Sequence, residues 1–244
     1  MREVVLETLG ASLTVDLSVA PEAVDEFRTL WGRCLATERG GVAAQPVRAH
    51  GGLPRDDAAS WTGLTQSITM KLLEAQAGRL LLLHAGALVH PGGGGALVFA
   101  APSGTGKTTL ARTLGREWGY LTDETVGIDE SGTILPYPKP LSLVQDAGGK
   151  RETSPDAAGL RATPETARVG RIVLLNRTDG EFRADELSTL DAIVGLTPES
   201  SSLSKLTRPL HRIADLIEAT APVVRYSYRE VEQVIDHVTT RLFS

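Results

Sequence analysis

The chain has 244 residues, of which 41% are hydrophobic and 23% charged, and its formal charge is −5. This length and composition fit one large domain, or one domain with a small appendage, and exclude disorder, collagen and coiled coil as descriptions of the whole chain. The acidic balance argues against a general binder of nucleic acid or anionic membranes, because such a protein needs a basic face.

Cysteine content and hydropathy indicate a soluble protein of a reducing compartment. The single cysteine, Cys34, cannot form an internal disulfide, so the fold depends on its core. The most apolar run, Leu80–Leu83, is far shorter than the about 20 residues that span a bilayer. The first ten residues carry charges and lack the apolar stretch of a signal peptide. We therefore expect a cytoplasmic protein with neither a membrane nor a nucleic-acid partner.

The N-terminal part of the chain predicts a small α+β unit. Alternating apolar residues over 3–18 predict a hairpin that turns near Gly10. Pro21 opens a predicted helix that runs to about Leu35. Residues 37–57 are rich in Gly, Pro and Arg and lack periodicity, so they indicate a loop or linker.

The rest of the chain alternates helices and strands, as in an α/β fold. The predicted helices cover residues 60–76, 107–118, 187–196, 209–219 and 228–242. The predicted strands cover residues 79–90, 96–100, 120–122, 125–129, 133–135, 171–175 and 223–226. Residues 136–166, rich in Pro, Gly and charge, predict a mobile loop that could close over a substrate.

The strongest motif is Ala101-Pro-Ser-Gly-Thr-Gly-Lys-Thr108, a Walker A sequence in which Ala replaces the usual first Gly. Its glycines let the backbone wrap closely around phosphates, and the N-terminus of the following helix favours negative charge. Lys107 is expected to reach the β- and γ-phosphates, and Thr108 to ligate Mg²⁺. The motif therefore predicts a site for a nucleoside triphosphate. The predicted nucleotide-binding residues are Pro102, Ser103, Gly104, Thr105, Gly106, Lys107, Thr108 and Thr109.

Three other residues are candidates for the chemistry. Asp123 and Glu124 follow the strand after the Walker A helix, a position that lies beside the γ-phosphate in P-loop proteins. A carboxylate there can hold Mg²⁺ or accept the proton of an attacking hydroxyl, although an Asp-Glu pair can also be a solvated turn. His84 lies in an apolar strand, where a histidine is more often a core or strand-end residue than a catalyst.

Two fragments invite a GTPase interpretation. Asp129-Glu-Ser-Gly132 matches the D-x-x-G pattern, and Asn176-Arg-Thr-Asp179 is close to the base-reading N-K-x-D pattern. Asp129 follows Lys107 by only 22 residues, too few for the Walker A helix, a switch segment and a further strand. We interpret the first fragment as a hairpin turn and the second as the exit from a strand.

The ordered motifs resemble those of a known family. His84-Ala-Gly-Ala-Leu-Val89, the strand 96–100, the loop 101–109 and Gly119-Tyr-Leu-Thr-Asp-Glu124 resemble the catalytic domain of HPr kinase/phosphorylase and its compact relatives, such as lasso-peptide tailoring kinases. The resemblance implies an α/β fold whose P-loop core is similar to that of ATP-dependent phosphoenolpyruvate carboxykinase. We expect residues 1–58 to form a hairpin-helix appendage and residues 59–244 the catalytic domain, with a helical C-terminal part.

The resemblance also implies roles for individual residues. It implies ATP-dependent phosphorylation of a serine or similar hydroxyl, with Asp123 as the catalytic base. His84 would lie near the transferred phosphate, Lys107 would stabilise its charge, and Thr108 with Glu124 would hold Mg²⁺. Lys139, in Tyr-Pro-Lys-Pro, is a further candidate for contacting a phosphate.

The expected function is that of a Mg²⁺-ATP-dependent kinase whose acceptor is a Ser or Thr hydroxyl of a peptide or protein. Two alternatives stay open: a kinase of a small-molecule alcohol, such as a free amino acid or sugar, and a nucleotide-dependent switch with little turnover. Glu124 stands where the larger enzymes carry a second Asp, and their separate N-terminal domain has no counterpart, so HPr as substrate and the reverse phosphorolysis stay open. The expected partners are the hydroxyl acceptor and, in a homo-oligomer, further copies of the chain.

Overall fold

A computed structural model of the chain describes residues 2–36, 40–54, 56–144 and 149–242. The chain divides into two compact units, the first comprising Met1–Ala77 with Tyr137–Gly159 and the second Gly78–Pro136 with Leu160–Ser244. The predicted boundary after residue 58 differs, because the helix that follows it packs on the N-terminal sheet. That the ranges 1–58 and 59–244 divide the function between them stays a prediction.

The first unit begins with the predicted hairpin, formed by β1 (Glu3–Thr8) and β2 (Ala11–Asp16). Leu9 and Gly10 connect the strands with φ angles of 52° and 67°. Such a two-residue turn with two left-handed residues matches the right-handed twist of antiparallel strands, which explains the tight connection. The predicted hairpin is confirmed.

The predicted helix of residues 21–35 is interrupted. It consists of a 3₁₀ turn at Pro21–Ala23, helix α1 (Val24–Leu30) and a second 3₁₀ turn at Gly32–Cys34. Between the last two, Trp31 leaves the α-helical region, with φ of −96° and ψ of 17°. Periodicity alone could not reveal this break, because the buried face continues through it.

The predicted linker contributes to the first sheet. Short strands β3 (Val42–Ala43) and β4 (Val47–Arg48) both pair in parallel with β2, so the prediction of a loop is wrong for these residues, while residues 37–39 and 55 lie outside the described part. Helix α2 (Ala58–Gln76) is confirmed, and the Asp57 side chain caps it by accepting a hydrogen bond from the Ser60 amide at 3.2 Å.

Residues 136–166 are only in part the predicted loop. Strands β10 (Leu141–Val144) and β11 (Lys150–Thr153) form an antiparallel hairpin in the first unit, and residues 145–148 between them lie outside the described part. Beside the hairpin, Tyr137 is fully buried and bonds the Thr69 hydroxyl at 2.7 Å. The prediction of a mobile loop is therefore wrong for the hairpin strands.

The second unit contains a mixed sheet. Its strands are β5 (Leu81–Val89), β6 (Ala96–Ala100), β7 (Gly119–Thr122), β8 (Thr125–Ile128), β9 (Thr133–Leu135), β12 (Ala167–Arg177), β13 (Arg183–Glu186), β14 (Ser200–Ser201) and β15 (Val224–Tyr228). The main order is β13-β15-β12-β6-β5-β8-β9, and β7 and β14 also pair with β5. Because β9 pairs again with β12, strands β5, β6, β12, β9 and β8 form a closed ring.

Three neighbouring strands of this sheet, β6, β12 and β15, are parallel, so their carboxyl ends meet at one edge. Ligands of α/β sheets bind at such an edge. The helices of the second unit are α3 (Lys107–Leu114), α4 (Thr189–Leu196), α5 (Pro209–Glu218) and α6 (Val231–His237), which continues as a π-helical turn, Val238–Leu242. The predicted mixed α/β fold is confirmed for this unit.

Within the described residues, the chain has no helix that is both long and apolar enough to cross a bilayer.

Candidate functional site

The Walker A sequence forms a loop between β6 and α3, as the motif requires. We call residues Ala101–Gly106 the glycine-rich loop. Gly104 and Gly106 have φ angles of +85° and +100°, which residues with a side chain rarely adopt. A Cβ at Gly104 would meet no atom within 4 Å, so the backbone angle explains this glycine. Ala101 lies outside the left-handed region, which explains why alanine can replace the usual first glycine.

Lys107 begins α3 and turns its ammonium group back to the loop. The residue is 7% exposed, and Nζ donates to the carbonyl oxygens of Ala101 at 2.5 Å and Pro102 at 3.0 Å. Nζ also lies 3.1 Å from Nε2 of His84. Burial lowers the pKa of Lys107, and Glu199 with the neighbouring acidic residues opposes this shift. A buried cation therefore lies at the start of the helix, where phosphate charge would be favoured.

His84 lies on β5 and is a neutral acceptor in this arrangement. Burial and the Lys107 ammonium lower its pKa, whereas the Glu124 and Glu199 carboxylates act in the opposite direction. An ammonium group only donates, so Nε2 of His84 accepts and the ring proton lies on Nδ1. The contact with Lys107 was not predicted, and the predicted proximity of His84 to a transferred phosphate stays a prediction.

Thr108 and Asp123 are in direct contact. The Thr108 hydroxyl donates to Oδ2 of Asp123 at 3.0 Å, and the Tyr120 hydroxyl donates to Oδ1 at 3.1 Å. Asp123 is only 5% exposed, at the end of β7. The loop helix and the strand after it thus bring a hydroxyl and an oriented carboxylate together, and the bond from Tyr120 was not predicted.

Two glutamates complete the charged surroundings of Lys107. Glu124 precedes β8, and its carbonyl accepts a hydrogen bond from the Ala85 amide at 3.1 Å. Glu199 precedes β14, and its carbonyl accepts from the His84 amide at 2.6 Å. Both carboxylates raise the pKa of Lys107 against the effect of burial. Sequence reasoning missed Glu199, because the two-residue strand that brings it here has no recognisable pattern.

The glycine-rich loop is held from the side of β15 and α6. The buried Tyr228 side chain donates its hydroxyl to the Thr105 carbonyl, and burial raises the pKa of Tyr228 to about 12. On α6, Val231 lies 3.5 Å from the position of a Cβ at Gly106. Sequence reasoning missed Tyr228, because residues 228–242 were assigned to the last helix.

The other predicted nucleotide-binding residues lie on the surface of the same segment. The Thr105 hydroxyl donates to the Pro102 carbonyl at 2.9 Å and so shapes the loop. Ser103 and Gly104 are exposed at its tip, and Thr109 is exposed on α3. Their contact with a nucleotide stays a prediction.

That the loop holds a magnesium–nucleotide complex stays a prediction. Among the residues that the structure describes, no group of three or more His, Cys, Asp or Glu could hold a metal ion. Protein sites for nucleotide-bound Mg²⁺ need only one or two carboxylates, because phosphates and water supply the other ligands. The Asp123 carboxylate beside the Thr108 hydroxyl meets this need.

The two GTPase-like fragments have the structures predicted for them. Asp129 accepts from the Ser131 amide at 2.8 Å and the Thr133 amide at 2.9 Å, which defines the hairpin turn between β8 and β9. Asn176 lies near the end of β12, and Asp179 lies in the turn that follows, so this fragment is the exit from a strand.

Lys139 lies in the first unit, where it is 2% exposed and donates to the Pro140 carbonyl at 2.9 Å. Its predicted role toward a phosphate stays a prediction.

Comparison with known proteins gives a distant structural similarity. No protein-family model and no curated protein sequence matches the chain. Among solved structures, the Hpr(Ser) kinase/phosphatase from Coxiella burnetii is similar, with 12% identical residues and a TM-score of 0.36. The similarity covers 67% of this chain and 99% of that chain. It is a distant likeness of fold, and nothing about function follows from it.

Proposed function

We propose that the chain is a Mg²⁺-ATP-dependent kinase that transfers the γ-phosphate to a hydroxyl group, with a Ser or Thr of a peptide or protein as acceptor. One observation carries this proposal: the Asp123 carboxylate contacts the Thr108 hydroxyl at the first turn of the helix after the glycine-rich loop. Phosphoryl transfer depends on positioning and charge stabilisation, for which a loop, a lysine and an oriented carboxylate are the recurring parts.

Lys107 would stabilise the charge of the transferred phosphoryl group. Its ammonium is now bonded to carbonyls of the loop and to His84, and each of these bonds can be exchanged for one to a phosphate oxygen. Burial excludes water, so the interaction with phosphate is stronger than at an exposed site.

The proposal exchanges the roles that the sequence predicts for the two carboxylates: Asp123 becomes the metal ligand and Glu124 the base. The contact with Thr108 and the bond from Tyr120 favour Asp123 as the metal ligand, since both keep its oxygens at the start of α3. Glu124 is partly exposed, and its negative charge raises the pKa of both His84 and Lys107. Its carboxylate therefore lies near both groups, which favours it as the acceptor of the substrate proton. Bound Mg²⁺ would neutralise phosphate charge beside Asp123.

In the proposed reaction the acceptor oxygen forms a bond to the γ-phosphorus, the bond from that phosphorus to the bridging oxygen breaks, and ADP leaves. The hydroxyl proton passes to the Glu124 carboxylate. His84, neutral and with Nε2 as acceptor, would hold the Lys107 ammonium at the loop until a phosphate oxygen takes its place.

The experiment is detection of the product. The full chain is incubated with Mg²⁺, ATP and a library of Ser/Thr peptides, and in parallel with free hydroxy amino acids and sugars. Mass spectrometry then measures an added phosphate, and ADP is quantified. Transfer to peptides supports the proposal, and transfer only to small molecules favours the alternative acceptor class.

Glu124→Gln is the informative variant. It should bind ATP about as tightly as the unchanged chain and lose most transfer, because the amide cannot accept the proton. Glu117→Gln, on the exposed turn after α3, is the matched control and should transfer normally. Tight ATP binding without any phosphorylated product or ADP would contradict the kinase proposal and favour a nucleotide-dependent switch.

A further inference from the structure

Where the nucleoside part of the bound nucleotide lies follows from the sheet, provided that the proposed function is correct. The groups that would act on the γ-phosphate, Lys107, Asp123 and His84, lie on one side of β6, toward β5 and the strand β7 that pairs with it. A triphosphate that crosses the glycine-rich loop with its γ end on that side must leave it on the other side. On that side lie the carboxyl ends of β12 and then β15.

These two strand ends are joined by a hydrogen-bonded network. The Thr178 amide donates to the Tyr228 carbonyl at 2.7 Å, and the Arg229 guanidinium donates to the Asp179 carbonyl. Nε of Arg177 donates to the Arg229 carbonyl at 2.9 Å. The bonds hold the Arg229 guanidinium against the turn that contains Asp179.

The network is also tied to the glycine-rich loop. Tyr228, which bonds the Thr105 carbonyl, directly precedes Arg229 in the chain. The backbone at Arg229 is therefore held next to a residue that bonds the loop. A ligand that spans both would meet two prearranged surfaces.

The chemistry of the turn matches that of a nucleoside. Asp179 is exposed, and within the described residues no hydrogen bond or ion pair engages its carboxylate. A carboxylate only accepts, so it complements the ribose hydroxyls and the N–H groups of a base. A planar guanidinium such as that of Arg229 packs well on an aromatic face.

We propose that Asp179 and Arg229 form the subsite for the nucleoside part of the nucleotide. The Asp179 carboxylate accepts hydrogen bonds from the nucleoside, and the Arg229 guanidinium packs against the base. The fragment Asn176–Asp179 thereby has a binding role, which its interpretation as a strand exit did not include.

Calorimetric titration of the full chain tests this subsite with inorganic tripolyphosphate and with ATP, both in the presence of Mg²⁺. Asp179→Asn should weaken ATP binding about tenfold, as for loss of a hydrogen bond to a charged group, and leave tripolyphosphate binding unchanged. Arg229→Lys should also weaken ATP alone. Glu218→Gln and Arg116→Ala, both exposed and in the same unit, are the matched controls and should bind both ligands normally.

Two further ligands identify the hydrogen-bonding partner of Asp179. If the effect of Asp179→Asn disappears with 2′-deoxy-ATP, the partner is the ribose; if it differs between ATP and GTP, the partner is the base. The subsite is overturned if Asp179→Asn binds ATP as tightly as the unchanged chain does. It is also overturned if the variant binds tripolyphosphate and ATP more tightly by the same factor, because that is the result of removing a repulsive charge.

The wild-type titrations separate this inference from the proposed function. If the unchanged chain binds tripolyphosphate but binds ATP no more tightly, only the nucleoside subsite fails. If it binds neither ligand, the proposed function fails and the subsite with it.

Discussion

The glycine-rich loop and the turn Asp129–Gly132 are both short, contain Gly with Ser or Thr, and lie in the second unit, but they are stabilised in opposite ways. The turn is held largely by one of its own side chains: the Asp129 carboxylate accepts from the Ser131 amide and hydroxyl, both at 2.8 Å, and from the Thr133 amide. From outside, Arg168 donates to the Ser131 carbonyl. The loop is held mainly by residues outside it, Lys107 and Tyr228. A segment that uses its own polar groups is structural, whereas one shaped from outside can turn its amides to a ligand.

The largest expected effect is on the loop side of this comparison. Asp123→Asn should lower kcat for phosphate transfer by about 100-fold or more, because a neutral amide is a poor ligand for the metal and loses the charge that orients Thr108. The rate is measured at saturating ATP over a range of Mg²⁺ concentrations. Asp129→Asn is the matched control on the turn side and should keep wild-type turnover at a temperature at which it is folded. Normal turnover by Asp123→Asn would remove Asp123 from the site.

The turn should show the reverse behaviour. Asp129→Ala removes the acceptor of the turn hydrogen bonds and should lower the free energy of unfolding by about 1–3 kcal/mol, with kcat and KM unchanged below the transition. Urea unfolding followed by circular dichroism measures the loss. If Asp129→Ala were stable but inactive, the assignment of this fragment as purely structural would be wrong.

A smaller effect tests whether the loop is held from outside. Tyr228→Phe removes the hydroxyl that donates to the Thr105 carbonyl and keeps the ring packing. A loop that loses this bond should bind ATP about 3- to 10-fold more weakly, seen as a higher KM with nearly unchanged kcat, since one neutral hydrogen bond contributes about 1 kcal/mol. Tyr226→Phe on the same strand is the control, because the Tyr226 hydroxyl bonds His237 and not the loop. An unchanged KM in Tyr228→Phe would contradict external support of the loop.

Local sequence predicted the central strands and the loop well. The strand β6, the glycine-rich loop and α3 follow one another directly, and their pattern depends on neighbours in the chain: apolar strand residues, glycines with positive φ and the amphipathic helix. The contact between Thr108 and Asp123 was also within reach, because the carboxylate ends the strand that follows the loop helix.

Contacts between distant segments could not be predicted in the same way. Residues 137–159 belong to the first unit. The composition of this part of the chain predicts a single loop. Tyr228 reaches Thr105 across more than 100 residues of chain, and Glu199 reaches His84 through a strand of two residues. These residues meet because strands that are distant in the chain pair with each other. Neither the spacing of the residues nor their type predicts which residue each one contacts.

The smallest expected effect is on the pH dependence of folding stability, and it depends on the contact between His84 and Lys107. Because burial and Lys107 hold the pKa of His84 below its ordinary value of 6.5, the unfolded chain takes up this proton first as the pH falls. The contribution to stability is therefore complete above pH 6.5 and is lost as the pH falls from there through the pKa of the folded chain. Solvent screening of this half-exposed group keeps the effect modest.

His84→Gln keeps a donor and an acceptor but does not titrate. Between pH 7.5 and 5.5 the Tm of the wild type should therefore fall more than that of the variant, as measured by calorimetry in buffers of constant ionic strength. His237→Gln is a useful control, because the pKa of His237 is also lowered by burial and by Arg241, but His237 bonds Tyr226 rather than the lysine of the loop. Saturating tripolyphosphate draws Lys107 away from His84. In its presence the difference in pH dependence of the Tm between the wild type and His84→Gln should therefore become smaller, whereas the difference between the wild type and His237→Gln should not change. Equal pH dependence of wild type and His84→Gln would show that neither burial nor the lysine contact holds His84 neutral in the folded chain.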